Sequence, residues 1–245
     1  MKYVYLNLTR RTDRNERFLR TNPFLEGFDR IEAVDGSGLR ERDLLDAGWI
    51  QEPLKAYTPG ALGNALSHRR AWDMCISEGQ PVTVAEDDAV FNERFQETSR
   101  EILGQLGNAW DIVLWGWNFD SILHVQVIEG LRESVMEFDP APLRHGTTCF
   151  QAARYKSILL RLLGAFGLVC YSISPRGAAR LMASCFPLRN EVVAIPGLRR
   201  NLMSFTLDTV MNKYYLQLKS YVCFPPLVWT ENDKAKSDVH RTSLS

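Results

Sequence analysis

The chain has 245 residues, 45% of them apolar, which suits one α/β domain, or one domain with a smaller lobe, around a sizeable core. Twenty-nine Lys plus Arg balance twenty-nine Asp plus Glu, so no net field draws in nucleic acid or an anionic membrane, and nucleic-acid binding is set aside. The five cysteines (Cys75, Cys149, Cys170, Cys185, Cys223) show no C-x-x-C pair and no ligand spacing. They are expected to be reduced and structural, which favours a cytoplasmic protein.

The run 3–8 is short, β-rich and ended by charged residues, as a buried strand is, and no signal-like pattern precedes it. A helix is expected over 13–20 and a second strand over 30–34, closed by the turn signal Asp35-Gly36; strand, helix and strand at this spacing read as a βαβ unit. Pro59-Gly60 marks a break before a helix over 61–77. A strand over 81–85 runs straight into Glu86-Asp87-Asp88, followed by a helix over 93–106 and a strand over 111–115.

Between 118 and 154 periodicity is weak, and the stretch reads as irregular with one hairpin. The apolar-rich run 158–173 is interrupted by Arg161, Gly164 and Gly167, so it does not make a transmembrane span; its end, 169–173, reads as a strand. A helix from Pro175 to about 184, a loop over 187–196, a helix over 208–214 and a strand over 218–222 complete the pattern. The reading is a single domain over 1–230 with a polar tail over 231–245.

The sharpest chemical feature is the acidic triplet at the end of an apolar strand. Ligands of open α/β sheets bind beyond the carboxyl ends of the strands. Adjacent carboxylates there repel one another unless a cation joins them, and Mg²⁺ or Mn²⁺ bridges carboxylate and diphosphate oxygens. A solvated acidic turn is the plain alternative. Arg10, Arg11 and Arg14 follow the first strand and offer forked donors suited to phosphate. No G-x-x-x-x-G-K-[ST] loop, G-x-S-x-G elbow or zinc motif occurs.

Taken in order, Asn7-Leu8-Thr9-Arg10-Arg11-Thr12-Asp13-Arg14, Gly60-Ala61-Leu62-Gly63-Asn64-Ala65-Leu66-Ser67-His68, Glu86-Asp87-Asp88, Tyr171-Ser172-Ile173-Ser174 with Gly177-Ala178, and Pro225-Pro226-Leu227-Val228 make a specific set. The set resembles glycosyltransferase family 25, the lipooligosaccharide-biosynthesis galactosyltransferases related to collagen galactosyltransferases, over about residues 3–230. Asn64 stands where that family usually has Cys, and Cys170 where it usually has Gly.

The resemblance implies a GT-A-like fold, with a Rossmann-type, mostly parallel sheet flanked by helices. It implies an inverting, metal-dependent transfer of a hexose, galactose first, from a UDP-sugar to a saccharide acceptor in lipopolysaccharide, lipooligosaccharide or surface-glycan synthesis. The alternative is a non-catalytic nucleotide-sugar or glycan-binding module on the same fold. Asp88 is the expected ligand of Mn²⁺ (or Mg²⁺), with Glu86 facing metal or ribose, His240 in the tail as a late ligand, and Asp87 in the donor site. Asn7, Arg10, Arg11, Arg14 and His68 are the expected donor-binding residues. Inverting transfer needs a carboxylate base apart from the metal; Asp208 is the first candidate and Asp120 the second. Trp115-Gly116-Trp117 offers either an apolar platform for a sugar or core filling. A cytoplasmic location, even at the inner face of a bacterial membrane, leaves room for peripheral contact through a glycolipid acceptor.

Overall fold

The computed structural model describes residues 1–139 and 146–231; the expected tail, with His240, lies outside the described residues. One nine-stranded mixed sheet organises the chain. In chain order its elements begin β1 (Lys2–Asn7), α1 (Thr12–Thr21), β2 (Phe28–Glu32), α2 (Glu41–Asp46), α3 (Pro59–Glu78), β3 (Val82–Glu86), β4 (Ala89–Phe91), α4 (Phe95–Leu106) and β5 (Ile112–Gly116). They continue with β6 (Ile122–Ile128), β7 (Arg132–Glu137), α5 (Thr147–Ala152), β8 (Ile158–Ala165), β9 (Cys170–Ile173), α6 (Pro175–Cys185), β10 (Val192–Ile195), β11 (Arg200–Met203), α7 (Leu207–Met211), β12 (Ser220–Phe224) and β13 (Val228–Thr230).

The main sheet has the order β2-β1-β3-β9-β5-β12-β8-β6-β7. β1 pairs in parallel with β2 and β3, and β5 with β12; β9, inserted antiparallel between β3 and β5, keeps those strands pointing one way. This is the expected helix-flanked α/β fold. Alternate side chains of each central strand go to opposite faces, and both faces are covered. Val4 and Leu6 join Val84, Leu114 and Tyr171 in one core cluster, while Tyr3 and Tyr5 join Val113, Trp115, Phe18 and Phe95 in the other. Burial on both faces is why the sequence of β1 reads as a continuous apolar run.

Helix α3 begins at Pro59, ahead of the expected start. Proline fits the first helical turn because its missing N–H would find no intrahelical acceptor there, and Thr58 caps the end by accepting from Ala61 N at 3.0 Å. Gly79, left-handed at φ 65°, closes it. Several strands differ more. β8 lies in the apolar run 158–165 and pairs with β12 and β6; β10 falls in the stretch read as a loop and pairs with β11 just beyond it; and the short strands β4 and β13 pair with each other. Trp115 and Trp117 are fully buried, so they fill the core and offer no sugar platform. All five cysteines are unpaired as expected, but Cys149 is exposed on α5 and lies outside the core. Among the described residues no helix is long and apolar enough to cross a membrane.

Candidate active site

A cavity of about 700 Å³ opens beyond the carboxyl ends of β1 and β3, where the strand order turns back on itself. Its floor is a close crossing of backbones. A Cβ on Gly36 would stand 1.6 Å from Pro59 O, and one on Gly63 would stand 2.5 Å from Val34 O. Only glycine lets the start of α3 press onto the turn after β2 in this way. Ser67 locks the crossing by accepting from Val34 N at 2.8 Å and donating to Gly63 O at 2.7 Å.

The acidic turn does not form a cage of three converging carboxylates. Glu86, the last residue of β3, is turned toward α3: its Oε1 accepts from Asn64 Nδ2 at 2.8 Å and lies 3.5 Å from His68 Nε2. Asp87 turns inward, accepts from Asn7 Nδ2 at 2.7 Å and pairs with Arg14. Asp88 meets Arg14 Nη2 at 3.2 Å through Oδ2, and its Oδ1 is buried with no hydrogen-bond partner. Burial pushes the Asp88 carboxyl up to about 6; Arg14 opposes the shift, and Glu86 and Asp87 add to it. Burial also raises Asp87 against the pull of Arg14. For Glu86 burial works against ionisation, yet the hydrogen bonds from His68 and Asn64 and the charge of Arg14 hold it below the ordinary carboxylate range.

Among the described residues no three His, Cys, Asp or Glu side chains are grouped to hold a metal ion by themselves. A hard divalent cation does not need such a cage. Mg²⁺-type sites use one or two carboxylates and complete their octahedron with substrate phosphates and waters. The orphaned Asp88 Oδ1 at the cavity is the oxygen that fits this donor set, with Glu86 beside it.

The remaining expected residues divide between cavity wall and support. Arg10 and Arg14 line the cavity; Arg10 is tied to Asp35 through Nε at 2.6 Å. Arg11 is not in the wall, and its Nε pairs with Asp13 at 2.9 Å. Asn7 and His68 are buried behind the wall. Asn7 passes a hydrogen bond from Arg30 Nε (2.9 Å, accepted on Oδ1) to Asp87, so it orients the acidic turn from below.

Asp208 and Asp120 both reach the cavity, from different surroundings. Asp208 accepts from Gly167 N at 2.6 Å, from Thr209 N at 2.8 Å and from the Thr206 hydroxyl. Asp120 is exposed in the turn just before β6. Sequence reasoning gave Tyr171 a place in the motif set but no role behind His68, missed Trp72 there, and treated Asn64 only as a departure from the family pattern. The signal for Asn64 was its place on the α3 face that meets β3. The arginine of β11, Arg200, also lines the cavity and carried no motif.

The model of the family described as glycosyltransferase family 25 (LPS biosynthesis protein) matches residues 1–195, which includes the α3 face, the acidic turn and β9. The chain belongs to glycosyltransferase family 25. Among family 25 relatives, procollagen galactosyltransferase 2 of Mus musculus is 33% identical over 125 residues, 45% of this chain and 20% of that protein. Procollagen galactosyltransferase 1 of Danio rerio is 34% identical over 124 residues, 45% of this chain and 20% of that protein. A Bos taurus protein named "Probable inactive glycosyltransferase 25 family member 3" is 28% identical over 196 residues, 75% of this chain and 29% of that protein. The chain thus spans about a fifth to under a third of these relatives. Of solved structures, A197 from STIV aligns over 91% of this chain and 81% of its own, at 10% identity and a TM-score of 0.39.

Proposed function

We propose that this family 25 chain is an inverting glycosyltransferase that uses Mn²⁺ or Mg²⁺ to bind a UDP-sugar and passes its hexose, galactose first, to a saccharide acceptor. The single observation that carries the reading is the unpartnered, buried Oδ1 of Asp88 at a cavity beyond the strand ends, in a turn already braced by Asn7, Asn64 and Arg14. The divalent ion, when bound, stabilises the charge that develops on the departing diphosphate. Asp88 would hold it with help from Glu86, and Arg10 and Arg14 would supply cationic donors to the phosphates.

In a single displacement the acceptor oxygen bonds to the anomeric carbon as the bond to the diphosphate oxygen breaks. UDP leaves, and the acceptor's proton passes to a carboxylate on the opposite face. Asp208 and Asp120, which both line the cavity, are the candidate bases. The family description and the procollagen galactosyltransferase relatives support a saccharide-transfer setting. We place it in lipopolysaccharide or surface-glycan synthesis in the cytoplasm, with peripheral membrane contact through the acceptor.

The test is UDP release from a panel of UDP-sugars with Mn²⁺, with chelator and with Asp88→Ala. Metal-dependent release from one donor, lost in the variant, is expected. No release from any donor, together with no UDP binding by calorimetry, would replace the enzyme with a non-catalytic glycan-binding module.

A further inference from the structure

Strand β11 carries an arginine on the face where a hairpin seated on this fold should be apolar. In the β10–β11 ladder Val193 lies opposite Leu202, and Ile195 lies opposite Arg200. Directly opposed residues of an antiparallel pair share a face. Val193 and Ile195 are buried with Ile122 and Phe166 and Leu202 packs against them, while Arg200, on the same face opposite Ile195, is exposed at the cavity. Leu198, Arg200 and Leu202, alternating along the chain, all line the cavity.

The hairpin is a fixed wall. A Cβ on Gly197 would stand 2.6 Å from Ile122 Cδ1 and 3.1 Å from His124 Cβ, so the turn sits directly on β6. At the hairpin's base Ser204 donates to Arg189 O at 2.8 Å and accepts from Glu191 N at 3.2 Å, and Lys213 pairs with Glu191.

Three arginines line the cavity, and two are engaged: Arg10 by Asp35, Arg14 by Asp87 and Asp88. Arg200 has no side-chain partner among the described residues. Arg200 is an exposed guanidinium set between two leucines of the cavity wall, and its forked donors are open to an anionic ligand there.

We propose that β11 is an acceptor subsite and that Arg200 selects a saccharide carrying a carboxylate or phosphate, with Leu198, Leu202 and Phe205 against the apolar face of its ring. The inference rests on the glycosyl-transfer reading above. The donor diphosphate is the other anion within the cavity, but the position of the hairpin favours the acceptor. The hairpin is seated on β6, just after Asp120, and β9, β5, β12 and β8 lie between β6 and the strand that carries Glu86.

The experiment compares p-nitrophenyl glucoside, p-nitrophenyl glucuronide and glucose 6-phosphate, first for binding by saturation-transfer NMR and then as acceptors in UDP release. The proteins are the wild type, Arg200→Gln and Arg200→Lys; Arg200 is exposed, so circular dichroism should show all three folded alike. The charged saccharides are expected to bind at least ten-fold more tightly than the glucoside. That preference should vanish in Arg200→Gln and partly return in Arg200→Lys, with the KM for UDP-sugar unchanged. A wild type with no preference for either charged saccharide overturns the proposal. So does an Arg200→Gln variant whose KM for UDP-sugar, or whose acceptor-free UDP release, shifts as much as its acceptor binding, since Arg200 then serves the donor diphosphate. Charge-selective binding lost in Arg200→Gln, with no UDP release from any donor, keeps the anion subsite and removes the transferase reading instead.

Discussion

The hydroxyl of Tyr171 lies 2.9 Å from Nδ1 of His68, and both side chains are fully buried behind the acidic turn. Trp72 Nε1 can only donate, and it donates to the same hydroxyl oxygen at 2.8 Å. The hydroxyl thus joins both rings, and His68 Nε2 faces Glu86 Oε1 at 3.5 Å. A buried line of hydrogen-bonding groups runs from Trp72 to the carboxylate that ends β3.

Tyr171→Phe leaves the Trp72 N–H and His68 Nδ1 buried without partners. An unsatisfied buried polar group costs about 1–3 kcal/mol, so the variant should lose about 2 kcal/mol in urea unfolding. A loss below about 0.5 kcal/mol would mean that the hydroxyl does not serve both rings.

Gly36→Ala tests the floor of the cavity. Its Cβ would stand 1.6 Å from the Pro59 carbonyl oxygen, which is backbone and cannot swing aside. Overpacking of this kind costs about 1–3 kcal/mol, and the melting temperature should fall accordingly. Gly38→Ala, where nothing lies within 4 Å, is the control that should leave it almost unchanged.

Asp111 gives the fold a predictable acid sensitivity. Burial opposes its ionisation, but Lys219 N–H at 2.8 Å and the guanidinium groups of Arg176 (2.7 Å) and Arg180 (2.8 Å) outweigh this and depress its pKa. A depressed carboxylate contributes stability that is present above its unfolded pKa, about 3.9, and lost as pH falls through the lower folded value. Wild type and Asp111→Asn should therefore differ in urea midpoint at pH 6, and the gap should narrow as pH falls below the unfolded carboxylate pKa of about 3.9. A gap that stays constant across that range would show the contribution is not ionic.

Metal and donor should stabilise the chain together. With UDP and Mn²⁺ each well above its dissociation constant, linkage adds about 2.7 kcal/mol at one hundred-fold saturation, read as a rise of several degrees in thermal unfolding. Mn²⁺ without UDP should raise it much less, because Asp88 offers few protein oxygens. Asp88→Asn should remove most of the combined shift; a shift that survives intact would place the cation elsewhere.

Much of the layered sheet was legible in the sequence because its central strands are apolar on both faces and its breaks carry local signals. Those signals include Asp35-Gly36, the Gly79 end of α3 and Pro175 at the start of α6. The ordered motifs likewise marked the family, and their Arg10, Arg14 and Asp88 line one cavity with the candidate bases Asp120 and Asp208. What the motifs could not say is which way each side chain turns. Asn7 and His68 look like ligand residues in sequence, but the fold buries both behind the cavity wall, where contacts far along the chain, with Asp87 and Tyr171, engage their polar atoms. β8 escaped because it pairs with β6 and β12, which are distant in sequence, and β10 and β11 escaped because strands of four residues are too short to show a period. Local propensity and turn chemistry are properties of neighbouring residues, so the sequence by itself determined the elements and the family. Register, burial and the place of Arg200 at the cavity depend on partners that only folding brings together, so the tertiary structure decided them.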